Sequence, residues 1–403
     1  MLKQCKNIIT LCDKPNRHLI NWGLSGQGKT YFDTSMIEEE YENGRSIAII
    51  DYSGSYTQAE LQKSNFKYVD ELMVLNPAIA PISWNSNAND IDLFIQEAKD
   101  VLVNTLDINS YNQSSLLFQA LEYLESEYGK PVFSWNIPKL IKGLKSLKGI
   151  AEDESESPDV LPNIDRLLTR LMKFENLCNF DITFLPTETT QSNKRITIFQ
   201  LSDLPEEHRF FLTKLLSELM WLETRRGKNS SNYYETIFFD EFQFLSIKRG
   251  SALSHFIREG RKFGVGLVLS TQFISHYTEE EQETLLQAGN ILIFKPTPRD
   301  LNFSAKVIDF NAPAAWKKIL SKLPIGSAVL VGHYQINNNN SLLTKPIVCN
   351  ITKEVKDDVK ELARYTNGAG CSKSTTCKRK IGIFAPSAGG TTSQKNRSNI
   401  SNS

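Results

Sequence analysis

The segment that most constrains this chain is Gly23-Leu24-Ser25-Gly26-Gln27-Gly28-Lys29-Thr30. It matches G-x-x-x-x-G-K-[ST] at every fixed position. The short apolar run His18–Trp22 leads into it, and a helical stretch of about Thr30–Asn43 leaves it, stopped by Gly44. The residue types follow from the chemistry of holding phosphate. Gly23, Gly26 and Gly28 let backbone N–H groups converge on an anion without Cβ clashes. The helix that the loop opens presents its positive end to the same anion. Lys29 is long enough to reach β- and γ-phosphates, and the Thr30 hydroxyl is a ligand for Mg²⁺. The segment, with Ser25 and Gln27 among its members, is therefore read as a site for ATP and Mg²⁺.

A nucleotide loop of this kind needs a second acidic site at the end of an apolar strand. The run Glu235–Asp240 (ETIFFD), followed by Glu241, meets that requirement. Asp240 is expected to hold Mg²⁺ through its water shell, and Glu241 to polarise the attacking water. Asp51, at the end of Ser46–Asp51, is the competing acid and ranks second because Tyr52 follows it instead of Glu.

Alternating strands and helices around these sites predict an α/β fold. Residues 1–89 form the first part of a nucleotide-binding core. From Asp90 to Phe174 apolar residues recur at helical spacing, as in Leu117, Leu121 and Leu124, so residues 90–180 are read as a helical insert between the second strand and the acidic strand. Residues 181–355 return to the core. Its strands are expected at Arg195–Leu201, Glu235–Asp240, Gly266–Ser270, Ile291–Lys295 and Ser327–Val331. Helices are expected from about Pro205 to Arg225 and ending near Lys262. Residues 356–403 are read as a helix and a basic, disordered tail, because from Asn367 the chain holds six basic and no acidic residues and loses its apolar pattern. The acidic run Glu152–Asp159 reads as a solvated loop.

With 46 basic and 46 acidic residues, no whole-protein charge favours nucleic acid, so any such surface must be local. The chain shows neither a signal peptide nor a run long enough to span a membrane, which predicts a cytoplasmic protein with no membrane anchor of its own. The six cysteines, Cys5, Cys12, Cys178, Cys349, Cys371 and Cys377, have no zinc-knuckle spacing and are expected to be reduced thiols. The five histidines form no ligand pattern.

Three further blocks narrow the reading. Arg258–Gln272 (REGRKFGVGLVLSTQ) is a basic helix end leading into a strand that closes on Thr-Gln. Asp51–Gly54 (DYSG) forms a turn after the second strand. Ile198–Leu204 (IFQLSDL) precedes a long helix. Together with the phosphate loop and Gly326 in LPIGSAVLVG, these resemble the HerA/FtsK superfamily of RecA-like P-loop ATPases over about residues 15–350.

The resemblance implies an ATP-hydrolysing motor that forms a ring, with a hexamer the superfamily norm, and that translocates on or pumps DNA. It implies that Gln272 senses the γ-phosphate. It also implies that an arginine from a neighbouring subunit completes the site, with Arg261 the first candidate and Arg258 the second. At the next strand, where family members often carry another arginine, this chain has Lys295, and Arg299 is a possible substitute. Only 22 residues precede Gly23, so the small N-terminal β-barrel usual in HerA proteins is not expected. The pathways open to such a motor include phage defence or DNA processing with a partner nuclease or effector. The alternatives are an ATPase of a secretion, conjugation or packaging assembly, and a nucleotide-gated scaffold that activates a partner enzyme.

Overall fold

The computed structural model describes residues 3–4, 7–12, 16–86, 90–128, 133–153, 159–175, 177, 180–184, 195–228, 230, 232–336 and 341–351. Two short strands, β1 (Lys3–Gln4) and β2 (Asn7–Leu11), precede β3 (Leu19–Trp22), which passes through the glycine-rich loop into α1 (Lys29–Glu42) and then β4 (Ile47–Asp51). Next come α2 (Gln58–Lys63), β5 (Leu72–Leu75) and β6 (Ile82–Ser86). The middle of the chain holds α3 (Ile91–Thr105), α4 (Tyr111–Tyr128), β7 (Phe133–Trp135), α5 (Ile137–Asp153), α6 (Val160–Met172) and β8 (Phe180–Phe184). The core resumes with β9 (Ile196–Gln200), α7 (Glu206–Arg226), β10 (Thr236–Phe239), α8 (Ala252–Glu259) and β11 (Gly266–Thr271). It continues with α9 (Glu279–Leu285), β12 (Asn290–Ile293), α10 (Leu301–Ile308), α11 (Pro313–Ser321), β13 (Ser327–Gly332), β14 (Tyr334–Ile336) and β15 (Ile347–Asn350).

Twelve strands form one sheet in the order β14-β2-β1-β15-β13-β12-β3-β11-β10-β4-β9-β5. From β12 to β5 neighbours run parallel, and from β13 outwards they pair antiparallel. The phosphate-loop strand β3 thus lies between two parallel neighbours, with Thr271 and Ile293 in register with Trp22. Parallel pairing brings the loops that follow β3, β4, β10 and β11 to one rim of the sheet.

The buried strands divide their apolar residues between two cores with period two. Ile47 and Ile49 of β4, Phe238 of β10 and Val268 of β11 face α1 with Phe32 and Ile37. Ala48, Ile50, Ile237, Phe239, Leu267 and Leu269 face the other core, which runs on through α7 into the helices of the insert. This is why α7 is buried on most of its circumference: α3 packs over the side that would otherwise face water.

The structure extends the expected outline at three places. Helices α3 to α6 occupy residues 91–172, but a three-stranded sheet, β6-β8-β7, accompanies them and takes Ile82–Ser86 from before residue 90. The large sheet resumes only at Ile196, since Phe180–Phe184 pairs with β6 and β7 instead. The expected helix ending near Lys262 stops at Glu259 and tightens into a 3₁₀ turn over Gly260–Phe263, closed by Gly264 at φ 80°. The tail beyond residue 351 and residues 154–158 of the acidic run lie outside the described residues. So do Cys5, Cys178, Cys371 and Cys377, while Cys12 and Cys349 are buried. Among the described residues no helix is long and apolar enough to cross a membrane.

His18, at the entry to β3, is 1% exposed, and its Nδ1 accepts the Leu267 N–H at 3.1 Å. Burial, helped by the Arg17 and Arg261 cations, pushes its pKa down to about 4. The unfolded chain therefore binds a proton near pH 6.5 that the folded chain refuses until about pH 4. His18 accordingly lowers stability as the pH falls through that window, by up to about 3 kcal/mol. Asp33 and Asp51, both raised to about 6, act in the opposite sense. The His18→Asn variant keeps an acceptor for Leu267 but cannot be protonated. Its urea midpoint, compared with wild type at pH 7 and pH 4.5, is expected to fall less on acidification, and parallel pH curves would refute this role.

Candidate functional site

Gly23, Gly26 and Gly28 all have positive φ, at 150°, 73° and 106°. Two of them are also confined by their surroundings. A Cβ at Gly23 would stand 2.6 Å from Cβ of Phe294, and one at Gly28 would stand 2.6 Å from Cδ1 of Ile351. The loop is pinned from both sides: Gly23 N–H donates to the Thr271 carbonyl, Leu24 N–H to that of Lys295, and Gly326 N–H to that of Gln27. Gly28 caps α1 in the left-handed region. Ser25 and Gly26 form the exposed crest of the loop, while Gln27, Gly28, Lys29 and Thr30 are half-buried.

Lys29 donates Nζ–H to the carbonyls of Gly23 at 2.6 Å and Leu24 at 3.1 Å, so its ammonium lies folded back over its own loop. Burial lowers its pKa, and the carboxylates of Glu241, Asp33 and Asp240 pull it back up. The ammonium therefore stands between the phosphate loop and an acidic cluster.

Each acid in that cluster is held differently. Asp51 accepts the backbone N–H groups of Gly54, Ser55 and Tyr56 at 2.8, 3.0 and 3.1 Å. Its carboxylate ties down the turn after β4, which leaves it poorly placed as the competing acid. That turn delivers Ser53, whose N–H and hydroxyl both donate to Oδ2 of Asp240. Asp240 is buried, and desolvation lifts its pKa to about 8, with Ser53 opposing and Asp51, Glu241 and Asp33 adding like-charge repulsion. Glu241 has φ 53° and ψ 51°, a left-handed conformation rare for a side chain of its size. Gln272 Nε2–H donates to its Oε1 and Gln243 Nε2–H to its Oε2, each at 2.7 Å.

Loop, Asp240, Glu241 and Gln272 thus meet at one rim of the sheet. Arg261 and Arg258 do not join them. Arg261 lies in the turn before β11, next to His18, at the opposite end of a six-residue strand roughly 20 Å long. Arg258 donates Nη2–H to the Thr284 hydroxyl at 3.1 Å. Lys295 contributes its backbone carbonyl to the loop, and the Arg299 side chain is exposed.

The arrangement fits Mg²⁺ and a nucleotide. The glycine-rich backbone lines the loop, and the buried Asp240 carboxylate beside the half-buried Glu241 would be relieved by a divalent cation. Among the described residues no three acidic, His or Cys side chains cluster into a metal cage. An ion here would be shared between Thr30, Asp240, water and phosphate oxygens, as Mg²⁺ commonly is.

Asp33 is the residue that sequence reasoning missed. It sits one turn beyond Lys29, 1% exposed, and accepts from Ser270 Oγ at 2.5 Å, Asn21 Nδ2 at 2.8 Å and Tyr56 OH at 3.2 Å. The network stitches α1 to β3, β11 and the Asp51 turn. Its signal was present: Asn21 interrupts an apolar strand and Asp33 stands beside Phe32 on the buried face of α1. Asp33→Leu would orphan three donors, and each buried orphan costs about 1–3 kcal/mol. A loss of roughly 3 kcal/mol or more in denaturant unfolding is expected, and a loss below 1 kcal/mol would mean that the network does not hold the site.

A protein-family model described as "Helicase HerA, central domain" matches residues 13–219. The DNA double-strand break repair helicase HerA of Saccharolobus solfataricus is 23% identical over 329 residues, covering 78% of this chain and 62% of that protein. Its counterpart in Sulfolobus acidocaldarius is 25% identical over 331 residues, covering 79% and 63%. The chain thus spans under two thirds of the length of these relatives. Among solved structures, VirB4 of Thermoanaerobacter pseudethanolicus superposes with a TM-score of 0.57 at 16% identity, over 85% of this chain and 91% of that one. The plasmid coupling protein TrwB, solved with the non-hydrolysable ATP analogue ADPNP, superposes with a TM-score of 0.57 at 15% identity, over 84% and 86%. The fold is the RecA-like one of these P-loop proteins, and since the family model takes in about half of the sequence, the chain belongs to the HerA helicase central-domain family.

Proposed function

We propose that this chain is an ATPase that works as a ring and uses hydrolysis to move on DNA. The observation that carries the reading is the division of the catalytic groups. The phosphate loop, Asp240, Glu241 and Gln272 meet at one rim of the sheet, while Arg261 stands at the opposite edge. In a ring, that edge of one copy can face the rim of the next.

In this reading the loop amides and Lys29 bind the phosphates of ATP, and Thr30 and Asp240 hold Mg²⁺. Glu241 takes a proton from the attacking water, and Gln272 orients that water or the γ-phosphate. Arg261 supplies in trans the rigid, always-charged group that neutralises the transferring phosphoryl. Arg258, which donates to Thr284 of α9, is the second candidate for that role. A bound Mg²⁺ would add Lewis-acid stabilisation of the phosphoryl oxygens.

DNA as the track is supported by the relatives, which are DNA double-strand break repair helicases. Local charge adds little. The cleft of about 610 Å³ beside Gln243 is lined by Lys214, Lys248 and Arg249, but also by Asp107, Glu218 and Glu281. A hexamer, and a role in phage defence with a nuclease or effector partner, extend the proposal beyond these supports. A secretion or packaging ATPase and a slow, nucleotide-gated scaffold are the alternatives. Stimulation of ATP turnover by duplex DNA separates the motor from both.

Lys29→Ala is expected to abolish ATP binding in a fluorescent-nucleotide titration while the unfolding curve stays cooperative. Glu241→Gln is expected to bind ATP and turn it over at least a hundredfold more slowly. Wild-type turnover in either would remove that residue from the mechanism. Arg261→Ala is expected to lose about a thousandfold in rate with binding kept. Mixing it with Glu241→Gln should restore part of the activity, since some interfaces then pair an intact Glu241 with an intact Arg261. A mixture that stays inactive despite demonstrated subunit exchange would exclude action in trans.

A further inference from the structure

Two glutamine amides, not one, grip the Glu241 carboxylate, and the second belongs to the turn that directly follows the acidic pair. Gln243 Nε2–H donates to Oε2 of Glu241 while Gln272 holds Oε1. A third group meets the same amide: Thr271 Oγ1 lies 2.6 Å from its Oε1 and donates to it, with the Phe273 carbonyl oxygen, at 3.1 Å, as that hydroxyl's other acceptor. Turning the amide over would set its oxygen against the carboxylate, so Glu241 fixes the orientation in which Nε2–H faces it and Oε1 faces the Thr271 hydroxyl. The backbone is fixed from the same direction. The buried Tyr277 donates its OH to the Phe242 carbonyl at 2.9 Å, and His276 Nε2 lies 3.3 Å from the Gln243 carbonyl oxygen. Segment 271–277 therefore holds turn 241–244 at four points.

We propose that Gln243 is a positioning residue for Glu241, and that Thr271 acts through Gln243. The reason is geometric. Glu241 enters the turn in a left-handed backbone conformation that the surrounding structure must hold in place. One hydrogen bond to Oε1 leaves the carboxylate free to swing about that bond, and a second to Oε2 fixes its plane. Each oxygen keeps a lone pair for the proton of an attacking water. A base held to within a fraction of an ångström retains its rate, whereas a displacement of about 1 Å costs on the order of a hundredfold. Because both amides are anchored to the end of β11, any shift of that strand end moves the base with it.

This inference rests on Glu241 being the general base, so Glu241→Gln is measured alongside. Gln243→Met keeps length and volume but removes the donor. Its kcat for ATP is expected to fall about 10- to 100-fold, with KM changed less than threefold. Gln243→Glu, which sets a second carboxylate against Glu241, should be slower still. Thr271→Val removes the hydroxyl at constant shape and should lower kcat about 3- to 10-fold, while Thr271→Ser restores it. The double variant Thr271→Val with Gln243→Met should be no slower than Gln243→Met alone. The proposal is overturned if Gln243→Met stays within twofold of wild type while Glu241→Gln is inactive, or if the loss falls on KM. Additive losses in the double variant would overturn the relay from Thr271. If Gln243→Met does not fold, Thr271→Val and Thr271→Ser carry the decision: equal rates for these two and wild type refute the proposal. An active Glu241→Gln removes the assignment of the base itself, which is a separate failure.

Discussion

The half-buried ammonium of Lys29 stands in the field of the carboxylates of Glu241, Asp33 and Asp240, at one rim of the sheet. A buried carboxylate left without partners costs several kcal/mol. The rim collects several, with Asp51 behind them, because parallel pairing brings the ends of β4, β10 and β11 and the start of α1 together. The local structure can be understood as the means of holding those charges in place. Backbone amides satisfy Asp51, a serine from the same turn satisfies Asp240, side-chain donors from three elements satisfy Asp33, and two glutamine amides satisfy Glu241. Hydrogen bonds to charged groups are worth about 1.5–3 kcal/mol each, enough to offset much of the penalty.

That solution ties elements far apart in sequence into one unit. Asp33 alone joins α1 to Asn21, Ser270 and Tyr56. Ser53 joins the Asp51 turn to Asp240, 187 residues away. The phosphate loop is likewise closed by residues that come late in the chain: Phe294 limits Gly23, Ile351 limits Gly28, and Gly326 bonds Gln27. Such a site is preorganised, since its groups are fixed by the fold before any ligand arrives. Burial, helped by the neighbouring carboxylates, pushes the Asp240 pKa up to about 8, a cost that a divalent cation would relieve.

The helices of the insert share one continuous apolar core with α7 and the lower face of the sheet. They are therefore braced against the core that carries the phosphate loop instead of hanging from it as a separate lobe. The cleft beside Gln243 opens where the end of α3, α7 and the segment after β10 meet.

Much of this was readable from local sequence. The phosphate loop declares itself because glycine, lysine and threonine are required at fixed spacing within eight residues. Asp240 and Glu241 declare themselves because an apolar strand ends on them. The α/β alternation follows from periodicities of two and 3.6, which are also local. The strands β1, β2, β14 and β15, and the small sheet β6-β8-β7, were not legible. They are short, and their register is set by partners elsewhere in the chain. Asp33, Ser53 and Gln243 escaped for a related reason, since each is an ordinary polar residue until its partner, Ser270, Asp240 or Glu241, is placed against it. By itself the sequence determined the kind of chemistry, because phosphate binding needs a contiguous run of backbone amides and one cation. Tertiary structure alone decided which acids are held, by whom and how rigidly, and on which edge Arg261 stands, because those facts depend on contacts between residues as many as 237 positions apart.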